Sequence, residues 1–436
     1  MRRADLIIKN VHILTMDENF TEYPNGAIAI KNGKIAAIGE GILEKYTGNV
    51  IDGKGKIAIP GMINTHTHAA MTLLRGYGSD NPLRIWLENY IWPAEEKCIS
   101  YEFVKDGTDL ACYEMLRNGI TTFVDMYFYE DAVAQSVHQA KMRAVICTGI
   151  LDFPNPGART PEEGLEKTKA CIQAYKSDEH IFPCVGPHAP YTCAPATLIK
   201  AMEIAEEYDT LFHIHIAETE FEVKQMKKLY ENTPVKHLND IGVLNERVLA
   251  AHMVYPTEEE IELLAEKGVK VAHCPESNLK LASGIAPVVE MMKKGVTVGL
   301  GTDGAASNDD LDLIGEMRTA ALIHKGYRRD ATVLSAKEAL AMATREGAKA
   351  VRLDDKIGTL EKGKYADLVL INVNEPHVQP LYDPYTQIVY SGKNFDVDTV
   401  IIGGEIVVKN KRVITIDKEC VLNKAQEWKE RVKKLK

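Results

Sequence analysis

Eight short apolar runs separated by amphipathic stretches dominate the chain between residues 57 and 350. They cover 57–64, 119–126, 143–151, 181–188, 210–217, 248–254, 269–274 and 296–303. This is the βαβα alternation of an α/β protein whose parallel sheet is covered by helices. An open, doubly wound sheet satisfies the same alternation, but eight units fit closure into a (β/α)8 TIM barrel. The flanks have another texture. Residues 1–56 and 357–415 carry short alternating strands with turns such as Lys31-Asn32-Gly33-Lys34 and Ile402-Gly403-Gly404-Glu405. They predict one small β-sandwich domain built from both ends of the chain. The catalytic barrel is then expected over 57–356, and 416–436 reads as a charged C-terminal helix.

Polar residues fall where a barrel keeps its chemistry. His66, His68, Asp125, His188, His215, His252, His273 and Asp303 all lie at or near the C-terminal ends of apolar runs, the face on which TIM barrels build their active sites. Residues i and i+2 of a strand share a face, so His66 and His68 aim two imidazoles at one point. A lone H-x-H pair is ordinarily no more than two hydrogen-bonded core histidines. Here the segments ending at His215 with Glu218 three residues on, at His252 and at Asp303 offer further donors. Three imidazoles and one carboxylate suit a divalent metal ion, zinc first, with iron or manganese as alternatives. Closure brings strands one, five, six and eight to one centre, which an open sheet would not.

Composition narrows the partners. The 436 residues are 45% hydrophobic and 26% charged, with a net charge of −10, the profile of an ordinary globular protein. That balance argues against nucleic acid, which needs concentrated basic patches. Without a signal-peptide core or a membrane-length apolar run, the expectation is a cytoplasmic protein with no membrane partner. The eight cysteines lack any C-x-x-C, and Cys147, Cys184 and Cys274 lie in apolar runs. They read as buried thiols of a reducing compartment, with no disulfide required.

Five motifs carry a resemblance that spans nearly the whole chain. They are Pro60-Gly61-Met62-Ile63-Asn64-Thr65-His66-Thr67-His68, Trp92-Pro93-Ala94-Glu95, Gly186-Pro187-His188-Ala189-Pro190-Tyr191, His213-Ile214-His215-Ile216-Ala217-Glu218 and Gly301-Thr302-Asp303-Gly304-Ala305. With them the chain resembles the amidohydrolase superfamily, in its branch of 5′-methylthioadenosine and S-adenosylhomocysteine deaminases, 5′-deoxyadenosine deaminases included. The resemblance implies that His66, His68, His215 and Asp303 ligate one metal ion per subunit, that Glu218 is the general acid/base, and that His252 and Asp303 flank the attacking water. It also implies that Glu95 takes the ribose diol and that His188 contacts the purine. Trp86 is placed to wall the pocket, with a core tryptophan as the alternative reading. Two-metal branches use a carbamylated lysine at the end of strand four. This chain reads Val185-Gly186-Pro187-His188 there, which implies a mononuclear site. His213, one layer deeper than His215, reads as a packed, hydrogen-bonded histidine, and His273 and Asp125 are left structural.

The expected reaction is hydrolytic deamination of a 5′-substituted adenosine to an inosine analogue, with no redox or nucleotide cofactor. A small nucleoside is the expected partner, and a homo-oligomer the expected assembly. The alternatives are a chlorohydrolase or aminohydrolase acting on a triazine, guanine or pyrimidine ring, and, more remotely, a metal-stabilised interaction protein. One departure bears on the substrate. Some relatives that accept S-adenosylhomocysteine resemble one another in two arginines near the end of strand three. Here the later position matches Arg159, while the earlier reads Cys147-Thr148.

Overall fold

The computed structural model of the protein describes residues 1–434. Its larger sheet has eight parallel strands in chain order: β1 (Met62–Thr67), β2 (Ile120–Tyr127), β3 (Arg143–Ile150), β4 (Ile181–Pro187), β5 (Phe212–Ile216), β6 (Val248–His252), β7 (Lys270–His273) and β8 (Val298–Leu300). The seam between β8 and β1 is bridged just beyond β8. Asp303 N–H donates to His66 O at 2.9 Å, and the Asn64 amide spans Thr302, donating to its hydroxyl at 2.7 Å and accepting from its N–H at 3.0 Å. Gly301 permits this approach, since a Cβ there would lie 2.8 Å from His66 N. The result is the nearly closed α/β barrel expected from eight runs.

Local sequence sets the helix starts. Ser100, Thr160, Thr219, Thr233, Thr257 and Ser335 each cap a helix by accepting a backbone N–H from its first turn, which satisfies one of the donors a helix leaves unpaired. Inside the barrel, Ile63, Val124, Val145, Cys147, Cys184, Leu249 and Ala272 form one core with Ala348 and Val351.

The second sheet has nine strands drawn from both chain ends. Ile8, Val11, Ile13, Ile28, Leu368, Leu370 and Ile401 bury together, so this sheet folds over its own core as a sandwich does. It also takes Lys56–Pro60, which pairs with Leu368–Asn372. The run 57–64, expected to be a single barrel strand, is therefore two strands in two sheets. Gly61 divides them. Its backbone presses on Thr121 so closely that a Cβ would fall 2.1 Å from Thr121 Oγ1. Lys418–Lys433 forms the terminal helix and docks Trp428 edge-on against Phe103, with the indole N–H donating to Asp106 at 2.8 Å.

One cysteine expectation is overturned. Cys147 and Cys184 are joined by a disulfide. They occupy directly opposed positions of β3 and β4 and face the same core, a register that their separation of 37 residues does not advertise. The other six cysteines are free thiols.

A buried ion pair ties barrel to sandwich. Arg143 Nε donates to Asp367 Oδ2 at 2.7 Å and the guanidinium stacks 4.0 Å from the Tyr365 ring centroid. Asp367→Ala strands that cation in the interior and is expected to lower unfolding free energy by roughly 3–5 kcal/mol. Calorimetric or denaturant unfolding reads it, and a loss below about 1 kcal/mol would show that the pair is not a tie.

Candidate active site

At the C-terminal mouth of the barrel a cavity of about 810 Å³ is walled by His68, Trp86, Glu95, Arg159, His188, His215, Glu218, His252 and Asp303, within the size range of small-molecule sites. His66 lies just beneath, fully buried. Every residue assigned to the site from the sequence is thus at one place.

Proton positions follow from the hydrogen bonds. His213 Nδ1 lies 2.9 Å from Leu249 O, and a carbonyl only accepts. The Nδ1 proton is therefore on His213, whose Nε2 accepts from His66 Nδ1 at 2.8 Å. His66 Nε2 is left with a lone pair, buried and without a hydrogen-bond partner, 3.4 Å from Asp303 Oδ1. His68 Nδ1 donates to Met126 O at 2.6 Å, and its Nε2 also lies 3.4 Å from Asp303 Oδ1. His215 Nδ1 donates to His188 O at 2.7 Å. Three Nε2 lone pairs are thus freed by donation on the far side of each ring, the arrangement that metal-ligating histidines use. Burial holds His66 down to about 4 and His215 well below the ordinary imidazole range, so both stay neutral.

Asp303 is built to remain an anion. Burial opposes its charge, and donors to both of its oxygens support it. Ser277 and Ser307 hydroxyls donate to Oδ2 at 2.7 and 2.9 Å, and Gly304 N–H to Oδ1 at 2.7 Å. Two sets, His66 with His68 and Asp303, and His66 with His215 and His252, each bring their ligand atoms within 4.8 Å of one another. An orphaned buried Nε2, neutral imidazoles and one fixed carboxylate fit a divalent ion.

Beside this cluster stand two titratable groups. Glu218 Oε2 and His252 Nε2 are 3.9 Å apart. Burial pushes the Glu218 carboxyl up, while burial lowers His252 and is overcome by the Glu218 and Asp303 charges, which raise it. His252 Nδ1 lies 2.8 Å from Asn278 Oδ1, so it donates there. His252 and Asp303 adopt left-handed φ values of 72° and 62°, a strained backbone of the kind concentrated at functional sites.

The remaining residues line the cavity. Glu95 follows a π-helical turn at Leu87–Ile91 and accepts from Tyr127 OH at 2.7 Å. Burial raises its carboxyl to about 7. His188 Nδ1 is 2.9 Å from Thr192 Oγ1. Trp86 donates its indole N–H to Tyr77 O at 3.0 Å, and Arg159 is exposed at the rim. Of the residues left structural, His213 fixes the His66 tautomer and Asp125 accepts the Ala69 N–H at 2.6 Å. His273 packs beside His324 with both ring nitrogens unpaired. Sequence reasoning missed Tyr127, Ser277, Asn278, Ser307 and Glu222, which carry no spacing signal.

This barrel, with its histidine–aspartate cluster as a candidate metal site, is that of a hydrolase, and the comparisons agree. The Amidohydrolase family profile matches residues 57–407, and the chain belongs to that family. It is 49% identical to a 5-methylthioadenosine/S-adenosylhomocysteine deaminase of Aquifex aeolicus, over 99% of this chain and 98% of the relative. It is 45% identical to a 5′-deoxyadenosine deaminase of Methanosarcina acetivorans, over 97% of each. Among solved structures, a zinc-bound adenosine deaminase from Xanthomonas campestris superposes with a TM-score of 0.97 at 36% identity, covering 99% of both chains. A zinc-complexed atrazine chlorohydrolase from Arthrobacter aurescens gives 0.92 at 27% identity, over 97% of this chain and 99% of the other.

Removing one imidazole from so small a donor set should cost metal. His66→Ala, His68→Ala and His215→Ala are each expected to purify with reduced metal content by elemental analysis. Full occupancy in any one variant would strike that residue from the ligand set.

Proposed function

We propose that the protein is a hydrolytic deaminase of 5′-substituted adenosines, among them 5′-deoxyadenosine, 5′-methylthioadenosine, S-adenosylhomocysteine and adenosine. Water replaces the 6-amino group, giving the inosine analogue and ammonia. The observation that carries this reading is the juxtaposition in one cavity of the Glu218–His252 proton pair, the imidazole–aspartate cluster and the buried Glu95 carboxylate. The names of the relatives support it.

His66, His68, His215 and Asp303 would hold one divalent ion, with zinc preferred because the solved adenosine deaminase carries it. Such an ion supplies Lewis acidity that makes water nucleophilic near neutral pH. Glu218 takes a proton from that water and delivers it to the ring nitrogen beside the carbon under attack. Asp303 and His252 hold the water and relay its second proton to the departing amino group, which leaves as ammonia. Burial raises the proton affinity of Glu218, which suits a group that must accept and return a proton. Glu95 accepts from the two ribose hydroxyls, with Tyr127 fixing one of its oxygens, and His188 takes a purine edge.

The chlorohydrolase alternative draws on the likeness to the triazine enzyme. A triazine has no vicinal hydroxyls for Glu95, so that carboxylate favours a nucleoside. A non-catalytic role would need a missing ligand or proton carrier, and none is missing. We assign the chemistry to the barrel unit, with the β unit as support and the division at Gly61. Among the described residues no helix is long and apolar enough to cross a membrane. A cytoplasmic location fits the six free thiols, and the Cys147–Cys184 bond pulls the other way. Homo-oligomerisation is carried by the sequence reading alone.

Glu218→Gln keeps the shape and the hydrogen bonds but cannot carry a proton. It is expected to retain metal and lose at least ~10²-fold in kcat. Near-normal turnover would remove Glu218 from the mechanism.

The 5′ end of the substrate faces a second test. Cys147 is locked into the barrel core by its disulfide and Thr148 is buried, so neither offers a cation. Arg159 is the remaining candidate for a homocysteine carboxylate, against an apolar wall that includes Trp92 and Phe153. A charge-assisted contact contributes roughly 1.5–3 kcal/mol, so one contact fewer disfavours S-adenosylhomocysteine by about tenfold or more. Uncharged 5′-deoxyadenosine and methylthioadenosine should therefore have the higher kcat/KM. Equal or better turnover of S-adenosylhomocysteine contradicts this, and unchanged selectivity in Arg159→Ala would show that this arginine does not meet the substrate.

A further inference from the structure

The proton carrier Glu218 does not sit on a strand. It follows β5 across Ala217, whose φ is 54°, a left-handed conformation uncommon outside glycine that persists only when its surroundings hold it. The holding group is another glutamate. Glu222 Oε1 accepts the Ala217 N–H and Glu222 Oε2 accepts the Glu218 N–H, each at 2.8 Å. In extended chain successive N–H groups point to opposite sides. Here the left-handed turn aims both at one carboxylate.

Glu222 is placed for this by its own helix. Thr219 caps Glu220–Tyr230 and accepts the Glu222 N–H at 3.2 Å. A glutamate at that third position ordinarily reaches back to the capping residue's N–H. Glu222 reaches further, past the cap to the two residues before it. Its side chain is 1% exposed, and the cavity walls include Glu218 but not Glu222. Contact with substrate is thereby excluded as its role. The same turn is tied to the segment that follows the other proton carrier, because Ala217 O accepts from Val254 and Tyr255 N–H at 2.9 and 3.0 Å, two and three residues beyond His252.

We infer that Glu222 is a positioning residue, a bidentate clamp on the Ala217–Glu218 turn that sets where the Glu218 carboxyl stands relative to His252 and the cavity. This rests on Glu218 being the proton carrier. Misplacement of a reacting group by about 1 Å costs on the order of 10²-fold, so the effect falls on turnover and not on substrate affinity or metal content.

The test compares Glu222→Ala, Glu222→Gln and Ser335→Ala in the metal-loaded enzyme with 5′-deoxyadenosine, beside Glu218→Gln. Ser335→Ala removes the cap of Ala336–Met342, a helix that does not touch the turn. Glu222→Ala is expected to lose ~10- to 100-fold in kcat, with KM within about threefold and bound metal unchanged. Glu222→Gln, which keeps one acceptor and the shape, recovers part of that loss and serves alone if the alanine variant does not fold. Ser335→Ala lowers the melting temperature and keeps kcat. Wild-type kcat in folded Glu222→Gln, or an equal kcat loss in Ser335→Ala, overturns the clamp. If Glu218→Gln is itself active, the functional reading fails instead, so the two failures are distinguishable.

Discussion

One proton position governs the site. The Leu249 carbonyl can only accept, so it fixes the proton on His213 Nδ1. His213 Nε2 must then accept from His66, and the His66 lone pair is turned toward His68 and Asp303. The chain runs from the backbone of β6 through β5 to β1, so barrel closure and ligand orientation are the same constraint. His68 and His215 repeat the device with the carbonyls of Met126 and His188. A lone pair left unpaired in a buried site is costly, and a divalent ion relieves that cost.

The same economy of positions separates the roles of the carboxylates. Asp303 is ringed by imidazoles and hydroxyl donors and stays charged. Glu218 and Glu95 are buried with few donors, and burial pushes both carboxyls up, that of Glu95 to about 7. Chemically similar groups are thereby suited, by surroundings alone, to the proposed roles of anchor, shuttle and diol acceptor.

Much of this was legible in the sequence because strand ends repeat a simple rule. Short apolar runs mark strands, and polar residues at their C-terminal ends mark the site, so His66, His68, His215, Glu218, His252 and Asp303 could be gathered without coordinates. The run 57–64 misled because Gly61 breaks it through contact with Thr121, a residue about sixty positions away. The Cys147–Cys184 bond depends on the register between β3 and β4, and Tyr127, Asn278 and Glu222 act through hydrogen bonds whose geometry exists only after folding. Local pattern names the residues that carry chemistry. It does not name those that hold them.

The central claim is that this cluster deaminates adenosine nucleosides. Ammonia release by the metal-loaded enzyme, measured as kcat/KM across 5′-deoxyadenosine, methylthioadenosine, adenosine, guanine and an amino- or chlorotriazine with product identification, tests it most directly. The account predicts inosine-type products from the ribosylated adenines, with kcat/KM at least about 100-fold above that for guanine or the triazine. Turnover of the triazine or guanine at an equal or higher kcat/KM, or no ammonia from any adenosine, would contradict it.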